Sequence, residues 1–326
     1  YFLLTFQQKI FGPNVELENK ETASFYIPTG ATYQEVTGLL EVSGYIKDME
    51  SFKWVAEKKN YPEKIKAGHY VFQDDMNNNE LVNMLRGGMQ TPVKVTFNNV
   101  RTKEEFAGKI SNTIEPDSVE LLKALNDTTL LEKFDFTPTT ITAMLIPNTY
   151  ELWWNTDAES FLERMHREYN NFWNEQRLAK ADSIDLTPVE VATLASIVEE
   201  ETIKEDEKKK IAGLYINRLN KGLKLQADPT IRFAMGDFTI KRVLDNDLRI
   251  ESPYNTYVNK GLPPGPIRIP SVSGIKAVLD YEDHDFLYMC AREDFSGYHH
   301  FAKTLRQHNI NARKYREALR QRGIYR

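Results

Sequence analysis

The segment LTPVEVATLASIVEEET, residues 186–202, has the fewest structural options in this chain. Thr187 stands at an N-cap position, Pro188 takes the first helical position, and Glu190 follows three residues after the cap. That is strong helix-start chemistry. The apolar run that follows ends on Glu199, Glu200 and Glu201. A cluster of acids at a helix end is commonly a solvated surface, so the question is whether one of the three faces inward.

An α-helix turns about 100° per residue. With Glu201 as origin, Leu194 falls about 20° away, Ile197 about 40° to the other side and Val198 about 60° away. Glu201 therefore continues the apolar stripe. Glu199 falls about 160° off, on the expected solvent face, and Glu200 is lateral. A carboxyl against apolar walls keeps its proton, because desolvation disfavours the anion, and such a group serves as a general acid near neutral pH. The alternative is a buried glutamate satisfied by a structural partner such as Arg218.

The segment SPYNTYVNKGLPPGPIRIPS, residues 252–271, is too rich in proline and glycine to be regular. A long segment of that kind is either a binding or catalytic loop or a structured connector. Its Tyr254, Asn255, Thr256 and Tyr257 form a hydrogen-bonding set suited to a neutral polyhydroxyl ligand. Other chemistries lack their signatures. There is no Gly-rich phosphate motif and no G-x-S-x-G elbow. His299, His300 and His308 lack the i, i+4 spacing of a helical zinc site, so neither a metal nor another cofactor is expected. Cys290, the single cysteine, sits in the apolar FLYMCA and reads as a small core residue.

The 326 residues suffice for about two domains, and 41% hydrophobic content excludes a disordered chain. A net charge of −5 argues against nucleic acid as a partner. From Phe301 onward the chain carries eight Lys and Arg against Glu317 alone. This is either a solvated basic helix or a contact for a membrane surface or anionic polymer. The first residue is not Met, and the opening YFLLTF is apolar but far short of the ~20 residues that span a bilayer. It reads as the stump of a membrane anchor or as a strand.

Residues 23–98 read as a small α/β unit. ASFYIP, AGHYVFQ and PVKVTF are strand-like. TYQEVTGLLEVSG is a helix with Val36, Leu39 and Leu40 on one face and a stop at Gly44. ESFKWVAEKKN and NNNELVNMLRGG are further helices. YIPTGATYQEVTG and TFNNVRTKEEFAG, 70 residues apart, share a strand–turn–helix pattern, which suggests a second domain starting near Pro92. Residues 103–185 look mainly helical, interrupted by the aromatic loop IPNTYELWWNT. Its Tyr150, Trp153 and Trp154, with nearby Trp173, read as core or as sugar-stacking rings. KKKIAGLYINRLNKGLKL is a helix stopping at Gly222. ADPTIRFAMG starts a helix with Asp228 as cap. DFLYMCA and HHFAKT are strands, and a last helix runs from about Leu305.

Five blocks, LIPNTY, ASIVEEET, LYINRLNKGLKLQADPT, SPYNTYVNKGLPPGPI and YHHFAKTLRQHN, resemble in order and spacing the YceG-like endolytic murein transglycosylases (MltG). They cover about half the chain, from Leu145 to Asn309. YIPTGATYQEV and AGHYVF are similar to the LysM-like module that precedes the catalytic domain in that family. The resemblance implies an α+β protein. Residues 1–22 would be an anchor stump or linker, 23–92 a LysM-like domain and 93–326 a larger mixed α/β catalytic domain. It implies a bacterial inner-membrane enzyme whose body lies outside the cytoplasm and cuts nascent peptidoglycan, with peptidoglycan synthases as further partners.

The family's catalytic glutamate directly precedes Thr in V-E-x-E-T, which maps to Glu201. Asn217, Arg218, Gln226, Asp228, Tyr254, Asn255 and Tyr257 are the candidate glycan-binding residues, with His299 and His308 as orienting groups. The chain departs from the family pattern at Glu200, where Lys is common, and at Ile269 and Ser271, where Asn and Gly are usual. An acidic neighbour at Glu200 would raise the pKa of Glu201 if it were close. The expected reaction protonates the glycosidic oxygen and closes a 1,6-anhydro ring without water. A non-catalytic peptidoglycan scaffold, or a muramidase using Asp228 as second carboxylate, are the alternatives.

Overall fold

The computed structural model describes residues 2–18, 20–240 and 243–324, with side chains from residue 7 onward. The chain divides into two compact units. One comprises Tyr1–Thr96, Ala107–Leu121 and Thr149–Ser160; the other comprises Phe97–Phe106, Leu122–Asn148 and Phe161–Arg326.

The first unit opens with helix α1 (Phe2–Phe11), followed by β1 (Thr22–Ile27), α2 (Tyr33–Ser43), α3 (Met49–Lys58), β2 (Gly68–Gln73), α4 (Asn78–Gly87) and β3 (Val93–Phe97). The opening apolar segment is thus helical and not a strand. Tyr1 and the side chains of residues 2–6, on which the anchor expectation rests, lie outside what is described. β1 and β2 pair antiparallel from Thr22↔Gln73 to Ile27↔Gly68. Alternation along β1 turns Ala23, Phe25 and Ile27 inward, where Phe25 stacks on Phe72 with centroids 5.0 Å apart. α2 begins with a capping box of Thr32 and Glu35 and stops at Gly44, whose φ of 68° is left-handed. Val36 and Leu40 are buried, but Leu39 is exposed. A buried polar knot closes this core. Asn14 donates to Asn78 at 2.7 Å and Asn78 to Ser51 at 2.9 Å.

The chain continues through α5 (Lys103–Ser111), α6 (Ser118–Ala124), α7 (Thr128–Glu132), β4 (Asn148–Leu152), α8 (Ala158–Phe172) and α9 (Glu175–Asp182). The 70-residue echo has a structural counterpart. β3 and α5 repeat the strand–helix step of β1 and α2, and Thr102 accepts from Glu105 N–H at 3.1 Å as Thr32 does from Glu35. The aromatic segment expected as a loop contains strand β4, which pairs with β3. Tyr150 and Trp173 are buried core residues, while Trp153 is exposed.

The second unit is organised around α10 (Pro188–Glu201), with α11 (Glu205–Asn220), α12 (Asp228–Met235) and α13 (Val272–Leu279) packed on it. Every residue from Val191 to Val198 is buried. A helix buried on all sides is the centre of its core, not an amphipathic surface helix. β5 (Tyr288–Ala291) and β6 (His299–Ala302) form an antiparallel hairpin that places Ala291 opposite His299. α14 (Leu305–Gln321) packs against that hairpin.

Backbone approaches α11 closely at Gly213. A Cβ there would lie 2.3 Å from the carbonyl oxygen of Glu282 and 3.0 Å from His284 Nε2. Gly38, in α2, has open space instead. Gly213→Ala is therefore expected to destabilise by ~2 kcal/mol or more through overpacking. Gly38→Ala is expected to be neutral or stabilising by up to ~1 kcal/mol through helix propensity. Equilibrium urea unfolding of both variants checks the contrast.

Candidate active site

The three glutamates at the end of α10 have three different environments. Glu199 was expected in solvent, but its side chain is only 6% exposed. It lies 3.4 Å from Lys208 Nζ, accepts the backbone N–H of Ser271 at 3.0 Å and takes the Ser271 hydroxyl as well. The helical wheel failed here because α13 covers the flank that a surface helix would expose. Glu200 accepts from Arg101 at 2.8 Å and from Arg268 at 2.7 Å. Its charge is thereby compensated, and it is not among the groups that shift Glu201. Ser271 is the N-cap of α13, and Ile269 is a buried apolar residue.

Among the described residues Glu201 has no cation within ion-pair distance and one hydrogen bond, from the Tyr215 hydroxyl, 2.6 Å from Oε1. The expected alternative partner, Arg218, is spent elsewhere. Its guanidinium donates to the carbonyls of Lys224 at 2.9 Å and Leu287 at 2.7 Å, and to Gln226 Oε1. Burial pushes the Glu201 carboxyl up to about 7, and the nearby charge of Asp228 adds to this. The Tyr215 hydrogen bond, His299 and Arg232 pull the other way without cancelling it.

Glu201 lines a cavity of about 390 Å³ whose apolar walls include Leu214, Leu225, Leu287 and Met289. Arg218, Gln226, Asp228, Tyr257, His299 and His308 line the same cavity. Gln226 and Asp228 sit at the entry to α12, held by the irregular loop. Gln226 N–H donates to the Thr256 carbonyl at 3.1 Å, and Ala227 N–H to the Thr256 hydroxyl at 3.0 Å. This staple brings the Tyr257 hydroxyl onto Asp228. Asp228 is the first residue of α12 and makes no cap, contrary to expectation; Ala227 is the cap position, without a side-chain bond.

Three expected glycan-binding residues do not line the cavity. Asn217 donates to the carbonyls of His284 and Phe286 and anchors the connection after α13. Asn255 is fully buried, donating to the carbonyls of Leu248 and Ile250 and accepting from Tyr257 N–H. Tyr254 packs on Phe233 with centroids 4.6 Å apart. The rings Tyr150, Trp153, Trp154 and Trp173 also lie outside the cavity lining. Conversely, Tyr215 and Glu207 were missed. Glu207, Ile211, Tyr215 and Arg218 recur at spacings of four, four and three, one face of α11, and that stripe was the available signal. Cys290 is partly buried on the cavity wall. Among the described residues no cluster of His, Cys, Asp and Glu is arranged to hold a metal ion.

Two outcomes follow for stability. Glu199→Gln leaves Lys208 with a weakened buried partner and is expected to destabilise by about 2 kcal/mol in urea unfolding. Glu201 has a folded-state pKa above its unfolded value, so the native state binds the proton more tightly. Stability therefore falls as pH rises between about 4.5 and about 7, and the whole deficit is present above that window. Glu201→Gln is expected to melt higher than the parent protein at pH 8.5, by roughly 3 kcal/mol at most, and no higher near pH 4.5. Calorimetric melting at the two pH values tests this.

The YceG-like family model matches residues 25–314. An endolytic murein transglycosylase from Bacillus subtilis (strain 168) is 29% identical over 320 residues, covering 92% of this chain and 87% of that protein. An endolytic murein transglycosylase from Streptococcus pneumoniae serotype 2 is 28% identical over 328 residues, covering 91% of this chain and 59% of that longer protein. The crystal structure of a YceG-like protein from Listeria monocytogenes superposes with a TM-score of 0.58 at 28% identity, covering 90% of this chain and 99% of that one. With a family match over most of its length, this chain belongs to the YceG-like family.

Proposed function

We propose that this protein is a lytic transglycosylase that cleaves the β-1,4 bond between N-acetylmuramic acid and N-acetylglucosamine in peptidoglycan, with Glu201 as acid and then base. The names of its relatives support an enzyme acting on murein. The observation that carries the reading is a carboxyl raised to about 7 in a cavity lined by hydrogen-bonding groups. Glu201 gives its proton to the glycosidic oxygen as the bond to the muramoyl C1 breaks. The resulting carboxylate takes the proton of the muramoyl C6 hydroxyl as that oxygen closes on C1. The product is a 1,6-anhydro end, and neither water nor a cofactor is consumed. Gln226, Asp228, Tyr257 and His308 hold the glycan in register, a contribution that carries a large share of catalysis in such sites.

The β1–α2–α3–β2 segment serves, on this reading, as a LysM-like glycan-holding module. Its antiparallel strand pair flanking two helices supports that assignment. We place the working body outside the cytoplasmic membrane, where peptidoglycan is, anchored through the N-terminal region and near peptidoglycan synthases. Among the described residues no helix is long and apolar enough to cross a membrane.

Asp228 on the same cavity wall favours a second reading, a two-carboxylate muramidase in which water attacks. Mass spectrometry of digested glycan separates the two. Anhydro ends are expected; reducing ends would support the hydrolase, and an unchanged polymer a scaffold. Glu201→Gln is expected to abolish product.

The pH profile gives a further test. The acid must be protonated, so kcat/KM is expected to fall tenfold per pH step above about 7. Tyr215→Phe removes the hydrogen bond that favours the anion, so the falling limb moves to higher pH. A limb that stays put or moves lower contradicts this role for Tyr215.

A further inference from the structure

Glu207 is a buried carboxylate that the proposed reaction leaves unused. It stands in the first turn of α11. Its Oε1 accepts the backbone N–H of His299 at 2.8 Å, and its Oε2 lies 2.7 Å from His299 Nδ1. The Thr202 hydroxyl donates to the same Oε2 at 3.3 Å. Thr202 directly follows Glu201, so one carboxylate ties together the end of α10, the start of α11 and strand β6. Burial works against ionisation of Glu207, but the hydrogen bonds from His299 outweigh it and hold the carboxyl below its ordinary range. The group is therefore an anion at neutral pH.

His299 lines the Glu201 cavity. With Nδ1 facing an anionic acceptor, Nδ1 carries the hydrogen whether or not the ring is charged. Nε2 has no protein partner among the described residues, which leaves it for a ligand. A sugar hydroxyl suits that atom in both states, because a hydroxyl both donates and accepts. Holding the histidine at its backbone and its ring with a single side chain fixes both its position and its rotation.

We propose that Glu207 is a positioning residue for the glycan site: it locks His299 with Nε2 directed at a hydroxyl of the bound sugar. The proposal rests on the function proposed above. His300, the neighbour on β6, pairs with Glu293 instead and does not line the cavity, so the assignment is specific to His299.

A double-mutant cycle decides it, read as kcat/KM for release of anhydro fragments from purified peptidoglycan. Glu207→Gln and His299→Ala are each expected to lower kcat/KM by at least ~10-fold. The double variant is expected to fall no further than His299→Ala alone, because residues acting as a unit are non-additive. Losses that multiply would overturn the proposal, since Glu207 would then act by another route. Should Glu207→Gln fail to fold by near-ultraviolet circular dichroism, His299→Gln carries the test: undiminished kcat/KM in that variant refutes the role. If the parent protein released no anhydro ends, the transglycosylase reading would fall by itself. The same cycle, read by calorimetry on binding of soluble uncrosslinked glycan fragments, would still decide whether Glu207 acts through His299.

Discussion

The site depends on how charge is distributed around one helix end. Three successive residues on a helix point in directions about 100° apart, so a run of three acids samples three sides of α10. Two of those sides meet cations: Lys208 with the Ser271 cap at Glu199, and Arg101 with Arg268 at Glu200. The third side meets leucines and a tyrosine hydroxyl. A desolvated carboxyl with no cation at ion-pair distance keeps its proton more readily, and this separates Glu201 from two neighbours of identical chemistry. The basic residues thus do more than stabilise: by neutralising two acids they leave the third as the group whose ionisation the fold resists.

Much of the secondary structure was legible because it is written in local chemistry. The capping box at Thr187, the left-handed stops at Gly44 and Gly222, and the start of α14 at Leu305 are decided within a few residues. The environment of Glu199 was not legible in this way. The wheel assumes one buried side, whereas α10 is enclosed all round, and the covering helix α13 lies some 70 residues on. Tyr215 and Glu207 were hidden for a related reason. The stripe on α11 places them on one face, but their significance comes from what the β5–β6 hairpin and the end of α10 place against that face, and the hairpin lies far off in sequence.

The irregular loop shows why a polar set in sequence is an ambiguous signal. Of its candidates only Tyr257 lines the cavity. Asn255 satisfies backbone groups just before the loop and within it, and Thr256 one at the entry to α12. A long segment without regular structure must find partners for its N–H and C=O groups, and short polar side chains supply them. A hydrogen-bonding residue in such a loop is therefore a candidate for holding the loop as much as for holding a ligand. The staple matters to the site all the same, since it sets Gln226 and Asp228 at the mouth of α12.

Position on the helix adds a further term. The carboxy-terminal end of a helix carries unsatisfied carbonyls and a partial negative charge, where cations are favoured and anions are not. α10 has no basic residue in its last turn and instead places three acids there. Arg101, Arg268 and Lys208 arrive from elsewhere in the chain to offset two of them. The mismatch that is left falls on Glu201, where the helix dipole, the apolar walls and Asp228 all act against the anion. Releasing that proton to a bound sugar creates a charge the site disfavours, and retrieving a proton relieves it. An acid that must serve twice in one reaction needs such a balance, with a pKa near the working pH so that neither transfer runs steeply uphill.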